Sequence, residues 1–421
     1  MAEEKYWLSV IFPIAAVSSG FSIIIPLYIL SLHGNVIDVG LATTAYSLVV
    51  IPASLFWGEL TQRIRKIKPF IAFSVIGVIP VIILLYLIHS VTLAIVMYAA
   101  YAFVLTASSP AINVLIMGRR KKTVLRSYYG VYSLLNIVGN TIGYIPGILL
   151  FSDVIARYLI ILFGFNTISI FLMFFLIPKD RVKVDRSGEK HLIKLFPLLN
   201  SISRFPQILT GHNLIMNIAK IRKRRKARRL FTIFAAISLV NFAMYLFNTS
   251  YIPFLYSFRL SYSDIFIINI FNGVGQAIIY LFFMTGKASA TLRGYYRFST
   301  FVRSGGYLLA ILSSVMLADI FYVNMFSYFV AGLAYALWNI SASVIIYVNI
   351  LGRFEARYIG LWSAIIGLSG VLGSLLSGFT SFYLGYIPTF AVSIVFTLSS
   401  ILVFNLAYRD GEKIVDFGNR V

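Results

Sequence analysis

Carboxamide and aromatic side chains recur at helical spacing within the long apolar stretches of this sequence. Asn241, Tyr245 and Asn248 follow the pattern i, i+4, i+7 and therefore share one face of a helix. A carboxamide offers both hydrogen-bond donors and acceptors, and leaving these groups unpaired in an apolar medium is costly. The pattern therefore indicates either hydrogen bonds between helices or a wet cavity that binds a solute.

Four further stretches show the same kind of pattern. They contribute Asn269, Asn272 and Gln276; Ser133, Asn136 and Asn140; Thr106, Ser109 and Asn113; and Trp338, Asn339, Ser341 and Ser343. As a set, these residues favour a cavity of amides and aromatic rings. Such a cavity suits a small neutral polar or amphipathic solute, for example a sugar, a polyol, a neutral metabolite or a drug.

Acidic residues and histidines are missing from the apolar stretches. All fourteen Asp and Glu and all four His lie in loops, at the termini or at the ends of these stretches, and the chain has no cysteine. Proton relays, phosphate chemistry and proteolysis need such groups in clusters. We therefore expect no enzyme, no metal and no cofactor. Proton coupling is disfavoured, although Asp38, Glu59 and Asp264 could titrate near span ends.

The elements that carry these residues are membrane-spanning helices. Hydrophobic residues make up 59% of the 421-residue chain and charged residues 12%, against roughly a quarter charged in soluble domains. About 20 apolar residues cross a bilayer as a helix. Such runs occur near 7–32, 39–58, 69–89, 92–117, 128–151, 157–178, 230–256, 264–286, 298–318, 320–350, 358–382 and 385–408. The sequence predicts an all-α integral membrane protein with twelve transmembrane helices.

The basic residues predict how the protein is oriented. One set of alternate loops holds only Arg157 and Arg259, whereas the rest of the 36 Lys and Arg lie at the termini, in the other loops or near the adjoining span ends. Loops rich in Lys and Arg stay in the cytoplasm. We expect a multi-pass plasma-membrane protein with both termini in the cytoplasm.

A basic segment divides the chain into two halves. Residues 179–229 end in KIRKRRKARR and separate a predicted six-helix bundle over 1–178 from a second over 230–421. The favoured interpretation is an anchor beside anionic inner-leaflet lipid, which contributes about 1 kcal/mol per basic residue. Nucleic-acid binding is the weaker alternative, so we expect no nucleic-acid partner.

The two predicted halves resemble each other. Counted from Gly130 in the fifth span and Gly360 in the eleventh, offsets 0, 3, 9, 13 and 17 all hold small residues. The first and seventh spans share an Ile-Pro step, with Asp38 or Asp264 in the loop that follows. Matching offsets favour an internal duplication, which is common in transporters.

Short motifs resemble those of the major facilitator superfamily. The landmarks of its first two helices are matched by Gly20, Pro26, Tyr28, Gly34, Gly40, Ser47 and Gly58. Its loop signature after the second helix is matched by Gly58, Leu60, Arg63 and Lys66, whereas Gln62 replaces the usual Asp and Arg65 the usual Gly. The resemblance implies two pseudo-symmetric six-helix bundles around a midplane site, with the first, fourth, seventh and tenth helices lining the cavity.

In that family the acid of the loop signature helps a charge network hold the halves together. Gln62 cannot supply the charge, but Glu59 lies three residues earlier on nearly the same helix face. One interpretation is a cytoplasmic gate in which Glu59 pairs with Arg63 and with a further partner such as Arg119, Arg120 or Arg126. The other is that Glu59 is solvated by lipid headgroups.

Small residues and one cation inside a span complete the candidate positions. The fifth span resembles a Gly/Pro-rich motif of family exporters, and small residues in membrane helices permit close packing. The helix-packing candidates are Gly139, Gly143, Pro146, Gly147, Gly370 and Gly373. Arg303 lies well inside the ninth span, where it either snorkels to the headgroups or faces the cavity and attracts an anion.

Two functions compete. The first is a monomeric secondary transporter that moves its solute by alternating access, with import and export both open. The alternative is a membrane sensor or scaffold that has kept the fold and lost transport. This second interpretation is motivated by the weak matches at Gln62 and Arg65 and by the large basic loop.

Overall fold

The structure is a computed structural model of the chain. It describes residues 3–64, 67–87, 89–117, 122–149, 154–177, 225–284, 292–315, 319–350 and 355–408. Most of the basic central segment, residues 178–224, lies outside the described residues, so its lipid-binding role stays a prediction.

Twelve helical rods make up the described part of the chain. They are α1 (Ile11–Ser31), α2 (Val36–Ile64), α3a and α3b (Lys68–Ile76 and Val78–Leu87), α4a and α4b (Val91–Thr106 and Ser108–Met117), α5 (Lys122–Leu149), α6 (Val154–Leu176), α7 (Arg225–Ser257), α8 (Tyr262–Met284), α9 (Leu292–Val315), α10 (Ile320–Ile350), α11 (Glu355–Tyr383) and α12 (Tyr386–Leu406). A 3-10 helix, Glu3–Val10, leads into α1, and Gly77 and Ala107 interrupt the third and fourth rods.

The helices have the length and composition of membrane spans. Ten of the rods in the described ranges are long and apolar enough to cross a bilayer. The other two, α5 and α9, have comparable lengths but carry polar and basic residues along them. Large apolar side chains are exposed on the outer helices, as at Phe175 (79% exposed) and Leu402 (68%). Large exposed apolar surfaces mark contact with a membrane or with a protein partner. Together with the ten candidate spans they are typical of a membrane protein, and the predicted all-α membrane fold is confirmed.

The two six-helix halves are related by a pseudo-two-fold arrangement. Helix α5 packs on α1 as α11 packs on α7, and the halves meet through α2 with α11 and α5 with α8. Exchanging the halves converts each of these two contacts into the other. The connections match as well: His33 and Arg259 both have positive φ, at 63° and 59°.

Each of those two connections is followed by the same helix cap. Asp38 accepts a hydrogen bond from the backbone N–H of Asn35 at 2.8 Å, and Asp264 accepts one from that of Ser261 at 3.0 Å. A carboxylate at this position satisfies backbone donors that the first helical turn leaves unpaired. The Asp residues that indicated a duplication in the sequence thus occupy equivalent structural positions.

Apolar packing joins the halves at one end of the molecule. We call the end where α1 begins and α12 ends the terminal end, and the opposite one the distal end. One core cluster, built on Phe21, Tyr101, Phe247, Phe266 and their neighbours, contains residues of both halves and lies toward the distal end. At the terminal end each half has its own cluster, around Trp57 and Ile71 in the first and around Phe234 and Tyr296 in the second. Among the described residues, the two halves therefore pack against each other at the distal end, and we call this contact the distal seal. At the terminal end each half packs by itself.

Candidate functional site

A polar cavity of about 610 Å³ lies between the two halves. This volume falls within the range of small-molecule sites. Its lining comes from both halves: Ser22, Pro26, Thr43, Tyr98, Tyr132, Ser133, Asn136, Ile137 and Asn140 from the first, and Asn241, Met244, Tyr245, Asn248, Thr249, Ile252, Asn272, Gln276, Tyr280, Arg303, Tyr328, Tyr335 and Asn339 from the second. Eight of the ten amide and aromatic candidates named from the sequence therefore line one cavity.

The remaining two candidates lie elsewhere. Asn113 lines a neighbouring cavity of about 480 Å³ within the first half, which shares Tyr132, Asn136 and Asn140 with the central one. Trp338 lines neither cavity and is buried in the terminal-end cluster of the second half. On α10 the cavity is lined by Tyr328, Tyr335 and Asn339, so the neighbouring Trp338 projects from another face of this helix.

Three hydrogen-bonded side-chain pairs organise the cavity wall. Asn140 Nδ2 donates to Asn136 Oδ1 at 3.1 Å along α5, and Gln276 Nε2 donates to Asn272 Oδ1 at 2.7 Å along α8. Asn272 Nδ2 in turn donates to the Tyr328 carbonyl of α10 at 2.9 Å. Between α10 and α8, Asn339 Nδ2 donates to the Tyr280 hydroxyl at 2.9 Å. These bonds fix the side chains and still leave acceptor and donor capacity for a solute.

The amides of α7 are less constrained. Asn241 is buried and donates through Nδ2 to the Ile237 carbonyl of its own helix at 3.2 Å. Asn248 is exposed although it belongs to the membrane-spanning part of α7, and it has no hydrogen-bond partner among the described residues. An exposed amide at that depth needs water or a solute as its partner.

Arg303 lies in the cavity wall with its guanidinium held by neighbours. It is 4% exposed, and its Nε donates to the Tyr307 hydroxyl at 2.6 Å. The guanidinium also lies 5.5 Å from the ring centroid of Tyr307 and 5.6 Å from that of Tyr335. Because the side chain is buried between these rings and lines the cavity, it does not snorkel to the lipid headgroups.

Sequence reasoning missed the number of tyrosines in this wall. Tyr98, Tyr132, Tyr280, Tyr328 and Tyr335 all line the central cavity. Helical spacing carried the signal, because Tyr280 follows Gln276 by four residues and Tyr335 precedes Asn339 by four. Tyrosine is abundant throughout the chain, with 27 residues, so its presence alone does not mark a cavity.

The glycine candidates lie at close helix contacts. A side chain at Gly139 or Gly143 would collide with the main chain of α1, at the Phe12 and Ala16 carbonyls respectively. One at Gly373 would meet the Phe242 carbonyl of α7 at 2.7 Å, and one at Gly370 the ring of Tyr245 at 3.1 Å. Gly147 faces the Phe266 ring of α8 across the contact between halves, and Pro146 lies inside α5 beside it.

The predicted gate at the terminal end is only partly described. Gly58 and Glu59 belong to α2; Glu59 is half-buried, and a side chain at Gly58 would meet no neighbouring atom within 4 Å. The side chains of Gln62, Arg63 and Arg126 lie outside the described residues, as do Lys66, Arg119 and Arg120 entirely. The pairing of Glu59 with Arg63 and with one of the other arginines stays a prediction.

Removing the two α7 amides tests whether they bind solute. For Asn241→Ala combined with Asn248→Ala, we expect the half-saturating solute concentration to rise at least about tenfold, since each lost hydrogen bond is worth about 1 kcal/mol. Uptake into proteoliposomes and folded yield would both be measured. Asn269→Ala is the control, because Asn269 makes the same bond to its own helix, to the Ile265 carbonyl at 2.8 Å, and lines neither cavity. Unchanged saturation in the double variant would mean that the amides serve only helix packing.

Two six-helix halves around a polar midplane cavity, joined by apolar packing at one end, form the architecture of a secondary transporter. Residues 7–350 match the sequence profile of the Major Facilitator Superfamily, and the chain belongs to this family. The resemblance inferred from the motifs is thereby confirmed. As a member of a transporter family it is a multi-pass membrane transporter and not an enzyme.

Solved structures of other transporters share the fold. The nucleoside transporter NupG superposes with a TM-score of 0.70 at 14% identity, over 98% of this chain and 100% of that one. A mutant peptide transporter POT in complex with sulfate gives 0.73 at 12% identity, over 96% and 94%. A bacterial homologue of the human lysosomal transporter Spinster, inward-facing and unoccupied, gives 0.63 at 14% identity, over 97% of each chain. No curated protein sequence matches the chain.

Proposed function

We propose that this protein moves a small polar organic solute across the plasma membrane by alternating access. The observation that carries the proposal is the central cavity, which draws donors and acceptors from both halves. Because its lining is divided between the halves, a rocking motion of one half against the other changes the access to a solute held there.

The packing between the halves supports the conformational part of the proposal. Contacts between α2 and α11 include those of Gly40 with Gly378 and of Ile51 with Gly367, which lie between the distal end and the helix midpoints. The terminal ends have separate cores instead. This is the arrangement of a transporter closed on the distal side, and with both termini in the cytoplasm it is the inward-facing state.

The remaining parts of the proposal concern the surroundings of the protein. It acts as a monomer with both termini in the cytoplasm and has no nucleic-acid partner. The basic central loop binds anionic lipid of the inner leaflet. The distribution of Lys and Arg between alternate loops supports this orientation.

Spin labels test whether the two ends open in alternation. The chain has no cysteine, so labels can be placed by substitution alone. The distal pair is His89→Cys with Leu384→Cys, and the terminal pair is Ile64→Cys with Leu406→Cys; all four positions are exposed and each pair joins the two halves. In nanodiscs with and without a cell extract, we expect the distal distance to lengthen as the terminal distance shortens.

Solute flux separates transport from a sensor or scaffold role. Proteoliposomes should accumulate at least one solute from a cell extract faster than vesicles without protein. If no solute accumulates and both spin-label distances stay constant in every condition, the transport proposal is wrong and a sensor or scaffold becomes the better interpretation.

A further inference from the structure

Among the described residues, the one cation in the cavity wall has no carboxylate beside it as a counter-ion. Among the cavity-lining residues that the structure describes, Arg303 contributes the only formal charge, and no Asp or Glu is present in either cavity. Asp38 and Asp264 cap the starts of α2 and α8 at the distal end instead. Arginine stays protonated in proteins, so the cavity carries a permanent positive charge.

The Arg303 guanidinium makes fewer hydrogen bonds to the described residues than it has donors for. Its Nε donates to the Tyr307 hydroxyl, and Nη1 approaches the Ala331 carbonyl at 3.5 Å, which is a weak bond. Nη2 makes no hydrogen bond to any described residue. A buried charge that lacks both a counter-ion and part of its hydrogen bonds is costly. An arrangement of this kind is stabilised when a bound anion supplies the missing partner.

We propose that the transported solute is a small carboxylate-bearing organic anion whose carboxylate pairs with Arg303. The proposal rests on the transport function proposed above. The planar guanidinium matches the geometry of a carboxylate and forms charge-assisted hydrogen bonds with it. The amides of the lining by themselves favour a neutral solute, whereas the buried cation among them favours an anion.

The residues beside Arg303 indicate what the rest of the solute resembles. The Tyr335 ring lies beside the guanidinium, and α8 presents the Asn272–Gln276 pair to the same cavity. Tyrosine rings pack on the apolar or planar body of a solute, while the amides bond to hydroxyl, carbonyl or amino groups. The site therefore fits an organic acid with a compact body better than it fits an inorganic ion.

Binding of matched acid and amide pairs tests the anion site directly. The probes are benzoate with benzamide, nicotinate with nicotinamide, and lactate with lactamide, at equal ionic strength with the detergent-purified full chain. At least one acid should raise the melting temperature more than its amide, because binding to the folded state stabilises it. This difference should disappear in Arg303→Gln and become smaller in Arg303→Lys.

Arg297→Gln is the matched control, since Arg297 is an exposed cation on the same helix that does not line the cavity. It should keep the full difference between acid and amide. Equal shifts by acid and amide for all three pairs in the unmodified protein would overturn the proposal. So would a difference that survives in Arg303→Gln.

Uptake from a cell extract, analysed by mass spectrometry, keeps the two proposals distinguishable. We expect the unmodified protein to accumulate one or more carboxylates, and Arg303→Gln to lower that uptake at least about tenfold, as for a lost hydrogen bond to a charged group. If only neutral or cationic solutes accumulate, transport stands and the anion proposal is wrong. If nothing accumulates, the transport proposal is wrong. The melting temperatures with the acid and amide pairs then decide by themselves whether the cavity binds anions.

Discussion

A disulfide between positions 44 and 374 is expected to stop solute flux completely, and reduction is expected to restore it. Thr44 on α2 and Ser374 on α11 belong to different halves, and their hydroxyl oxygens are 2.9 Å apart. Cysteines at these positions bring two sulfur atoms within reach of a disulfide. Because this contact belongs to the distal seal, the bond prevents the halves from separating there.

The measurement is uptake by proteoliposomes of Thr44→Cys with Ser374→Cys, before and after oxidation and again after reduction. The native chain has no cysteine, so the new bond is unique. Ser250→Cys with Ser377→Cys is the matched control, since these two hydroxyls also contact each other but lie on α7 and α11 of the same half. Oxidation of the control should leave flux unchanged. Normal flux through the oxidised 44–374 variant would show that transport does not require opening at this contact.

Leucine at both Gly139 and Gly143 is expected to abolish the yield of folded protein, because the first half can no longer pack. The new side chain would overlap the Phe12 carbonyl of α1 at position 139 and the Ala16 carbonyl of α1 at position 143. Overpacking costs typically about 1–3 kcal/mol per site, and a helix backbone yields less readily than a side chain. Association of membrane helices depends on this close fit, because lipid provides little hydrophobic force between helices.

Gly164→Leu and Gly305→Leu are the controls for this experiment. A Cβ at either position meets no atom of another helix within 4 Å, and both positions are exposed. Both controls should give normal yield and an unchanged melting temperature in detergent. If the Gly139→Leu and Gly143→Leu double variant folded as well as these, α5 and α1 would not pack as described.

Helical periodicity identified eight amide and aromatic residues of the cavity lining but fewer than half of the whole lining. The i, i+4, i+7 amides of α7, and the amides of α5 and α8, meet in one space because a polar face on a membrane helix must turn away from lipid. Trp338, in contrast, lies in an apolar core and not at the cavity. A large ring is equally stable in an apolar core, so its position within a helix did not reveal which face it used.

Local hydropathy, spacing and charge were enough to predict twelve membrane helices, two repeated halves and the polar faces of the helices. Hydropathy and polar faces belong to one segment at a time, and the repeat needs only a comparison of two stretches of sequence. None of them requires knowledge of the packing between helices. The distal seal between the halves, and the position of the Arg303 guanidinium in the cavity beside Tyr307 and Tyr335, became visible only in the folded molecule. The seal joins helices far apart in the chain. The guanidinium is held by Tyr307 of its own helix and by Tyr335 of the next one, because the direction of a long flexible side chain is set by the groups packed around it and not by its own place in the sequence.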